Sequence, residues 1–217
     1  MVAPRRVALA LLALAAAGCA GPSASARHRP LPPPAGEGRA VARSPRSDGP
    51  ASASDRSLSP DVRRALDLAR SLVGQRQIVV DGRDWGSGCA ALVLAALDAA
   101  GRPLPAAARD ASSLHAVAAS RGTLRTGLRA APGDVVFLAD QPGGAPVHVG
   151  LVASVDPDGT AVVLHRLARG VARLRVNLGY PRSVADPSTG RRLNDTLAVG
   201  SSAVPAGSLV VGVASFL

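Results

Sequence analysis

The sequence predicts an α+β fold in which N-terminal helices pack on a five- to six-stranded antiparallel sheet. Apolar residues recur at helical spacing early in the folded region, whereas after Pro132-Gly133 they alternate with the period of a β-strand. The turn sequence Asp156-Pro157-Asp158-Gly159 separates two strand patterns and predicts a hairpin. Helices followed by strands are typical of the α+β class.

Three helices are predicted before Pro132. The first is capped by Ser59 and ends at Gly74, where a glycine can adopt the left-handed conformation of a helix end. The second is predicted over Cys89–Ala100 from its apolar stripe. The third is predicted over Ala111–Ser120, with Asp110 as its cap.

The strands form a hairpin whose register places two histidines on one face. The predicted strands are Gln77–Val80, Asp134–Ala139, Val147–Val155, Thr160–His165, Val171–Val176 and Ser208–Ser215. A symmetric turn centred between Pro157 and Asp158 pairs Gly150 with His165. His148 then lies diagonally from His165, with alpha carbons roughly 7–8 Å apart. A register slip of one residue would move His165 to the opposite face.

Composition limits the classes of function. All 25 basic residues are arginines, scattered along a chain of net charge +10, and the chain has one Trp, one Tyr and two Phe. Few aromatic side chains are available to stack on bases, so nucleic acid is not an expected partner. Glu37 is the sole glutamate, which excludes a His-Glu-x-x-His metalloprotease helix. With four His and two Cys in the chain, neither a metal site nor another cofactor is expected.

The N-terminal segment predicts export and a lipid anchor. Two arginines precede an apolar run over residues 7–17, which has the length of a signal-peptide core. Small residues directly before Cys19 are similar to a bacterial lipobox. We therefore expect residues 1–18 to be a lipoprotein signal peptide and Cys19 to be lipidated. Ala20 rather than Asp follows the cysteine, and this favours the periplasmic side of an outer membrane.

The rest of the chain divides into a tether and one domain. Residues 19–57 are rich in Pro, Ser, Ala and Arg and have almost no large apolar side chains. Such a segment cannot bury enough surface to offset its ordering entropy, so it predicts a disordered tether. Residues 58–217 carry the helix and strand patterns and are predicted to fold as a single domain.

Cys89 is the candidate nucleophile. It is the one cysteine of the predicted domain, and it has no intramolecular disulfide partner if Cys19 is acylated. It follows the flexible sequence Gly86-Ser87-Gly88 at the predicted start of a helix, where backbone N–H groups stabilise a thiolate and can receive an oxyanion. The alternative is a small buried side chain that packs beneath the helix.

His148 and His165 supply the remaining groups of a catalytic arrangement. Gly150 lies on the face of His148 and leaves room for another group to approach. The pattern predicts Cys89 as nucleophile, His148 as general base and His165 as the residue that orients His148. Two hydrogen-bonded core histidines without a catalytic role are the alternative.

Four motifs in this order resemble those of the CHAP and NlpC-type cysteine peptidases. The motifs are Asp84–Val93 around the cysteine, Pro132–Phe137, His148–Val152 and Val163–His165. The resemblance implies a CHAP-domain lipoprotein with a papain-like fold that hydrolyses amide bonds, most often in peptidoglycan peptides. It also implies that His165 fills the third position as NlpC-type members do. Candidates for the same orienting role, which lie downstream, are Asn177, Asn194 and Asp195.

The sequence departs from this family beside the cysteine. Family members carry Asp before the cysteine and Ser-Gly after it, whereas here Gly88 precedes Cys89 and two alanines follow. No tyrosine lies upstream in the domain, so Asp84, Trp85 and Gly88 are the candidates for the oxyanion site or substrate cleft. Three functions remain open: an envelope-anchored cysteine amidase or peptidase, a wall-binding lipoprotein without catalysis, and a thiol acyltransferase.

Overall fold

The computed structural model describes residues 57–127 and 129–217. Cys19, the predicted signal peptide and the predicted tether up to residue 56 lie outside the described residues. The helices are α1 Pro60–Ser71, α2 Ala91–Ala99 and α3 Ala111–Ser120. The strands are β1 Val79–Val80, β2 Arg83–Asp84, β3 Leu124–Arg125, β4 Val135–Ala139, β5 Pro146–Val155, β6 Thr160–Leu167, β7 Gly170–Asn177, β8 Thr196–Val199, β9 Ser202–Pro205 and β10 Val210–Ala214.

A six-stranded antiparallel sheet organises the domain, in the order β3-β10-β4-β5-β6-β7. One face packs against the three helices, through residues such as Leu66, Leu92 and Phe137. The opposite face carries Val163 and packs against residues of the β8–β9 hairpin and of the short 3-10 helix Ala206–Leu209. This arrangement confirms the predicted α+β class and the antiparallel sheet.

Side chains cap the starts of α1 and α3 but not that of α2. Ser59 Oγ accepts a hydrogen bond from the backbone N–H of Val62 at the start of α1. The Asp110 carboxylate accepts one from the N–H of Ser113 at the start of α3. The N-cap of α2 is an alanine and makes no side-chain hydrogen bond. α2 starts at Ala91, so Cys89 lies in the turn before the helix and not in its first turn as predicted.

The β5–β6 register confirms the pairing of Gly150 with His165. The turn that produces it differs from the symmetric one predicted, because the backbone N–H of Asp156 donates to the carbonyl oxygen of Thr160 across a three-residue loop. A register shift at Ala153 restores the predicted pairing further along the strands. A β-bulge thus compensates for the longer turn.

Several elements escaped prediction because they are short or carry weak patterns. β8 and β9 form an isolated hairpin whose residues are at least partly exposed, so neither strand has a buried run to identify it. β6 continues two residues beyond its predicted end at His165 and includes Arg166. No helix within residues 57–127 and 129–217 is long and apolar enough to cross a membrane.

Candidate functional site

The two predicted histidines meet on the sheet. Nε2 of His148 on β5 lies 2.8 Å from Nδ1 of His165 on β6, within hydrogen-bond distance. The rings are nearly perpendicular, with an interplanar angle of 84°. The pairing of Gly150 with His165 produces this contact, since it leaves the histidines diagonal to each other. Within the described residues the His148 ring makes this one hydrogen bond, which leaves its Nδ1 available for another group.

Burial keeps both imidazoles neutral near pH 7. It lowers the pKa of His148 below its ordinary value. It lowers the pKa of His165 to about 4, with a further decrease from the charge of His148 and an opposing increase from the Asp195 carboxylate. Two neutral rings satisfy each other, because one ring nitrogen donates and the other accepts.

Cys89 lies in the turn before α2 and is partly buried. Its thiol donates to the carbonyl oxygen of Val147 at an Sγ–O distance of 3.7 Å. Val147 directly precedes His148, at a point where the pairing of β5 with β4 shifts by one residue. The candidate nucleophile therefore lies at the end of the strand that carries the candidate base.

Opposing effects act on the Cys89 thiol. Burial raises its pKa above the ordinary value, while hydrogen bonds from the backbone N–H groups of Ala111, Cys89 and Ala90 lower it and the Asp110 carboxylate raises it. The N–H groups act in the direction expected at a helix start. Their effect is smaller than that of burial, so the net shift is upward.

The structure brings the histidines together but does not pair the thiol with either of them. Cys89 packs against the helix-side cluster, whereas His148 is paired with Leu138, whose side chain belongs to the cluster on the opposite face. His165 alternates with Val163 and shares that opposite face. Among the described residues the hydrogen bond of the thiol goes to the backbone of Val147.

A cavity of about 620 Å³ adjoins the histidine pair. Its walls are mainly apolar, and Asp140 and Gln141 provide polar groups. The β8–β9 hairpin closes one side through Leu197 and Val199. This side of the cavity could not be predicted from the sequence, because the β8–β9 hairpin was not predicted. Within the described part of the chain, no group of three or more His, Cys, Asp or Glu side chains could hold a metal ion.

The residues predicted to line an oxyanion site or cleft beside Cys89 make other contacts in the structure. They are Asp84, Trp85 and Gly88. The Asp84 carboxylate accepts a hydrogen bond from the N–H of Gly86 at 2.7 Å and so shapes the turn. The Trp85 ring lies beneath the Arg83 guanidinium, 3.7 Å from the ring centroid, and lines a separate cavity of about 230 Å³. Gly88 is exposed, and its carbonyl oxygen accepts the first backbone bond of α2.

The alternative orienting residues are engaged in loop structure. The Asn177 amide donates to the Thr160 hydroxyl at 3.0 Å. The buried Asn194 side chain accepts from two backbone N–H groups and donates to two carbonyl oxygens. Asp195 accepts from the N–H of Arg175 and from the Arg192 guanidinium. His165 is therefore the candidate that contacts His148.

Two residues near the site were not predicted from sequence to take part in it. Asp110 was identified only as a helix cap, yet its carboxylate also raises the pKa of Cys89. Arg166 was placed beyond the end of a strand, yet it is buried and its guanidinium reaches the backbone of Ser87. A strand extended by one residue would have placed an arginine on the core face, which is an unusual position.

Comparisons with known proteins give weak structural likenesses. No family model matches the chain, and no curated protein matches it. An NlpC/P60 family protein from Bacillus cereus has a TM-score of 0.45 at 16% identity and covers 74% of this chain. Ly7917 has a TM-score of 0.41 at 19% identity over 71% of this chain. A protein from Staphylococcus aureus, described as similar to lipoprotein of the NLP/P60 family, has a TM-score of 0.42 at 16% identity over 74%.

This chain spans less than two thirds of each of those structures. The matched shares are 41% for the Bacillus cereus protein, 62% for Ly7917 and 42% for the Staphylococcus aureus protein. Ly7917 is also known with the hydrolyzing product of MDP, and that structure has a TM-score of 0.39.

Proposed function

We propose that the chain is a cysteine amidase or peptidase of the papain-like type that hydrolyses amide bonds in peptidoglycan peptides. The observation that carries the proposal is the 2.8 Å contact between His148 and His165. It supplies an oriented, neutral imidazole one residue from the backbone oxygen that binds the Cys89 thiol. The order of motifs along the chain supports the same chemistry.

The proposed mechanism starts with proton transfer from the Cys89 thiol to Nδ1 of His148, the ring nitrogen that His165 leaves available. This step requires the thiol to give up its bond with the Val147 carbonyl oxygen. It also requires Sγ and the His148 ring to meet at the end of β5, because the structure places them on opposite faces of the sheet. The thiolate then attacks the carbonyl carbon of the amide, and the oxygen of that carbonyl becomes negatively charged. Backbone N–H groups of Ala90 and Ala111, which lower the pKa of the Cys89 thiol, are suited to stabilise this charge.

Collapse of the tetrahedral intermediate breaks the C–N bond and leaves an acyl thioester on Cys89. His148 returns its proton to the departing amine. A water molecule, deprotonated by the same ring, then attacks the thioester and releases the carboxylic acid and the thiol. His165 keeps its contact with Nε2 throughout, which fixes the orientation of the His148 ring and leaves Nδ1 to exchange protons.

The proposal places this domain in the bacterial envelope. Lipidation of Cys19 would anchor the chain, most simply on the periplasmic side of an outer membrane, and residues 19–57 would link the anchor to the domain. Fully extended, such a tether spans at most about 3.3–3.6 Å per residue, enough to reach nearby cell wall.

Digestion of purified peptidoglycan tests the proposed function. Wild type, Cys89→Ala and Cys89→Ser are incubated with the polymer, and the products are identified by mass. We expect new amine and carboxyl termini with wild type and none with either variant. Cleavage that survives Cys89→Ala would overturn the assignment of the nucleophile.

A second candidate is a wall-binding protein of the same fold without catalysis. Two observations favour it: burial raises the pKa of the Cys89 thiol, and that thiol is hydrogen bonded to the backbone of Val147. Sedimentation of the protein with insoluble peptidoglycan, combined with product analysis, distinguishes a peptidase from a protein that only binds the wall. Binding without any new product from wild type would support the second one.

A further inference from the structure

Arg166 is a buried arginine without an acidic partner among the described residues. Its exposed fraction is 9%, and no carboxylate within residues 57–127 and 129–217 forms an ion pair with it. Its Nε is buried and has no hydrogen-bond partner in the same part of the chain. Burying a charge costs free energy unless the group is paired or hydrogen bonded, so the bonds that Arg166 does make matter for its position.

The Arg166 guanidinium instead binds two backbone carbonyl groups in loops. Nη1 donates to the carbonyl oxygen of Ser87, and Nη2 donates to that of Arg76 at 2.9 Å. Ser87 is two residues before Cys89. The two loops flank the short β1–β2 hairpin, so one side chain holds both ends of it. A planar fork of donors can bridge two acceptors in this way, which a lysine ammonium does less well.

This bond is the long-range anchor of the segment before the nucleophile. Gly86 donates to Asp84 and Gly88 accepts from Ala91, so both of these bonds are local. Among the hydrogen bonds of residues 86–88 that the structure describes, the one from Arg166 to Ser87 connects the segment to the sheet.

Successive residues of β6 therefore hold both parts of the candidate site. His165 points to one face of the sheet and contacts His148. Arg166 lies two residues after Leu164 on β6, so it points to the helix side of the sheet, where it contacts the loop before Cys89. We propose that Arg166 is a positioning residue, which fixes the backbone before Cys89 relative to the strand that orients the general base.

Arg166→Gln tests this role in the full chain, with Arg70→Gln as the matched control. Arg70 also donates from its guanidinium to a backbone carbonyl oxygen, that of Ala153, five residues along β5 from His148. Two quantities are measured: the rate of alkylation of Cys89 by iodoacetamide against pH, followed by peptide mass, and the kcat and KM of peptide hydrolysis. Circular dichroism confirms that each variant is folded.

We expect Arg166→Gln to raise the alkylation rate of Cys89, because release of the loop exposes a thiol that burial protects. We expect kcat to fall by roughly 10²-fold, as for a displacement of about 1 Å at a reacting group. KM is expected to change little, since Arg166 does not line the cavity beside the histidines. Arg70→Gln should match wild type in each measurement.

Folded Arg166→Gln with the wild-type alkylation profile would overturn the proposal. If that variant does not fold, Arg166→Lys replaces it, since lysine keeps the charge and the aliphatic stem. We then expect Cys89 to be alkylated faster than in wild type but more slowly than in the unfolded chain, because the ammonium reaches only one of the two carbonyl groups. A wild-type alkylation profile would again overturn the proposed role of Arg166. The measurement of kcat and KM rests on the proposed function. The alkylation rate reports the position of Cys89 even if the protein hydrolyses nothing.

Discussion

His165→Asn is expected to make the stability of the domain less sensitive to acid. Burial and the neighbouring His148 lower the pKa of His165 from 6.5 to about 4 in the folded protein. Between these two values the unfolded chain binds a proton that the folded state does not, so the free energy of unfolding decreases as the pH falls from 6.5 to 4. This difference in the pKa of His165 between the unfolded and folded states corresponds to about 3 kcal/mol in the free energy of unfolding.

Asparagine suits this substitution because its amide group lies near the position of the histidine Nδ1 that contacts His148. It preserves a hydrogen-bonding partner without a titratable group. Urea unfolding of wild type and His165→Asn at pH 7, 5.5 and 4 measures the effect. We expect wild type to lose about 3 kcal/mol more than the variant between pH 7 and pH 4. Equal losses would refute the argument that a neutral, buried imidazole occupies this position.

Two further substitutions test the surroundings of the site. Asp110→Asn keeps a good helix cap but removes the carboxylate that raises the pKa of Cys89, so the midpoint of Cys89 alkylation against pH should fall; an unchanged midpoint would contradict this. Gly150→Ala should lower the free energy of unfolding by about 1–3 kcal/mol, because its methyl group would lie 2.5 Å from Val163 Cγ1. Gly88→Ala is its control, since the added methyl group meets open space, and equal urea midpoints for both would refute the packing argument.

The pairing of His148 and His165 could be predicted because alternation fixes strand register over many residues. A slip by one residue would expose a whole apolar face, so the pattern determines the pairing even when the turn is described wrongly. The actual turn is one residue longer, and the bulge at Ala153 restores the register. Apolar alternation was thus a better guide than turn geometry.

The position of Cys89 was harder to predict because it depends on contacts between distant segments. A helix start favours a thiolate, but sequence does not reveal how deeply the thiol is buried or that Asp110 lies beside it. The partner of the thiol, the Val147 carbonyl oxygen, is a backbone group at an irregular strand pairing. Arg166 was missed for a related reason, since a charged residue ended the apolar pattern used to bound its strand.

Hydrolysis of a peptidoglycan stem peptide by Cys89→Ala, His148→Ala and the double variant tests the central claim most directly. If the two residues act as one catalytic unit, each single variant loses roughly 10³-fold or more in kcat, and the double variant is no slower than the worse of the two. Full activity in His148→Ala would contradict the account, as would losses that multiply in the double variant.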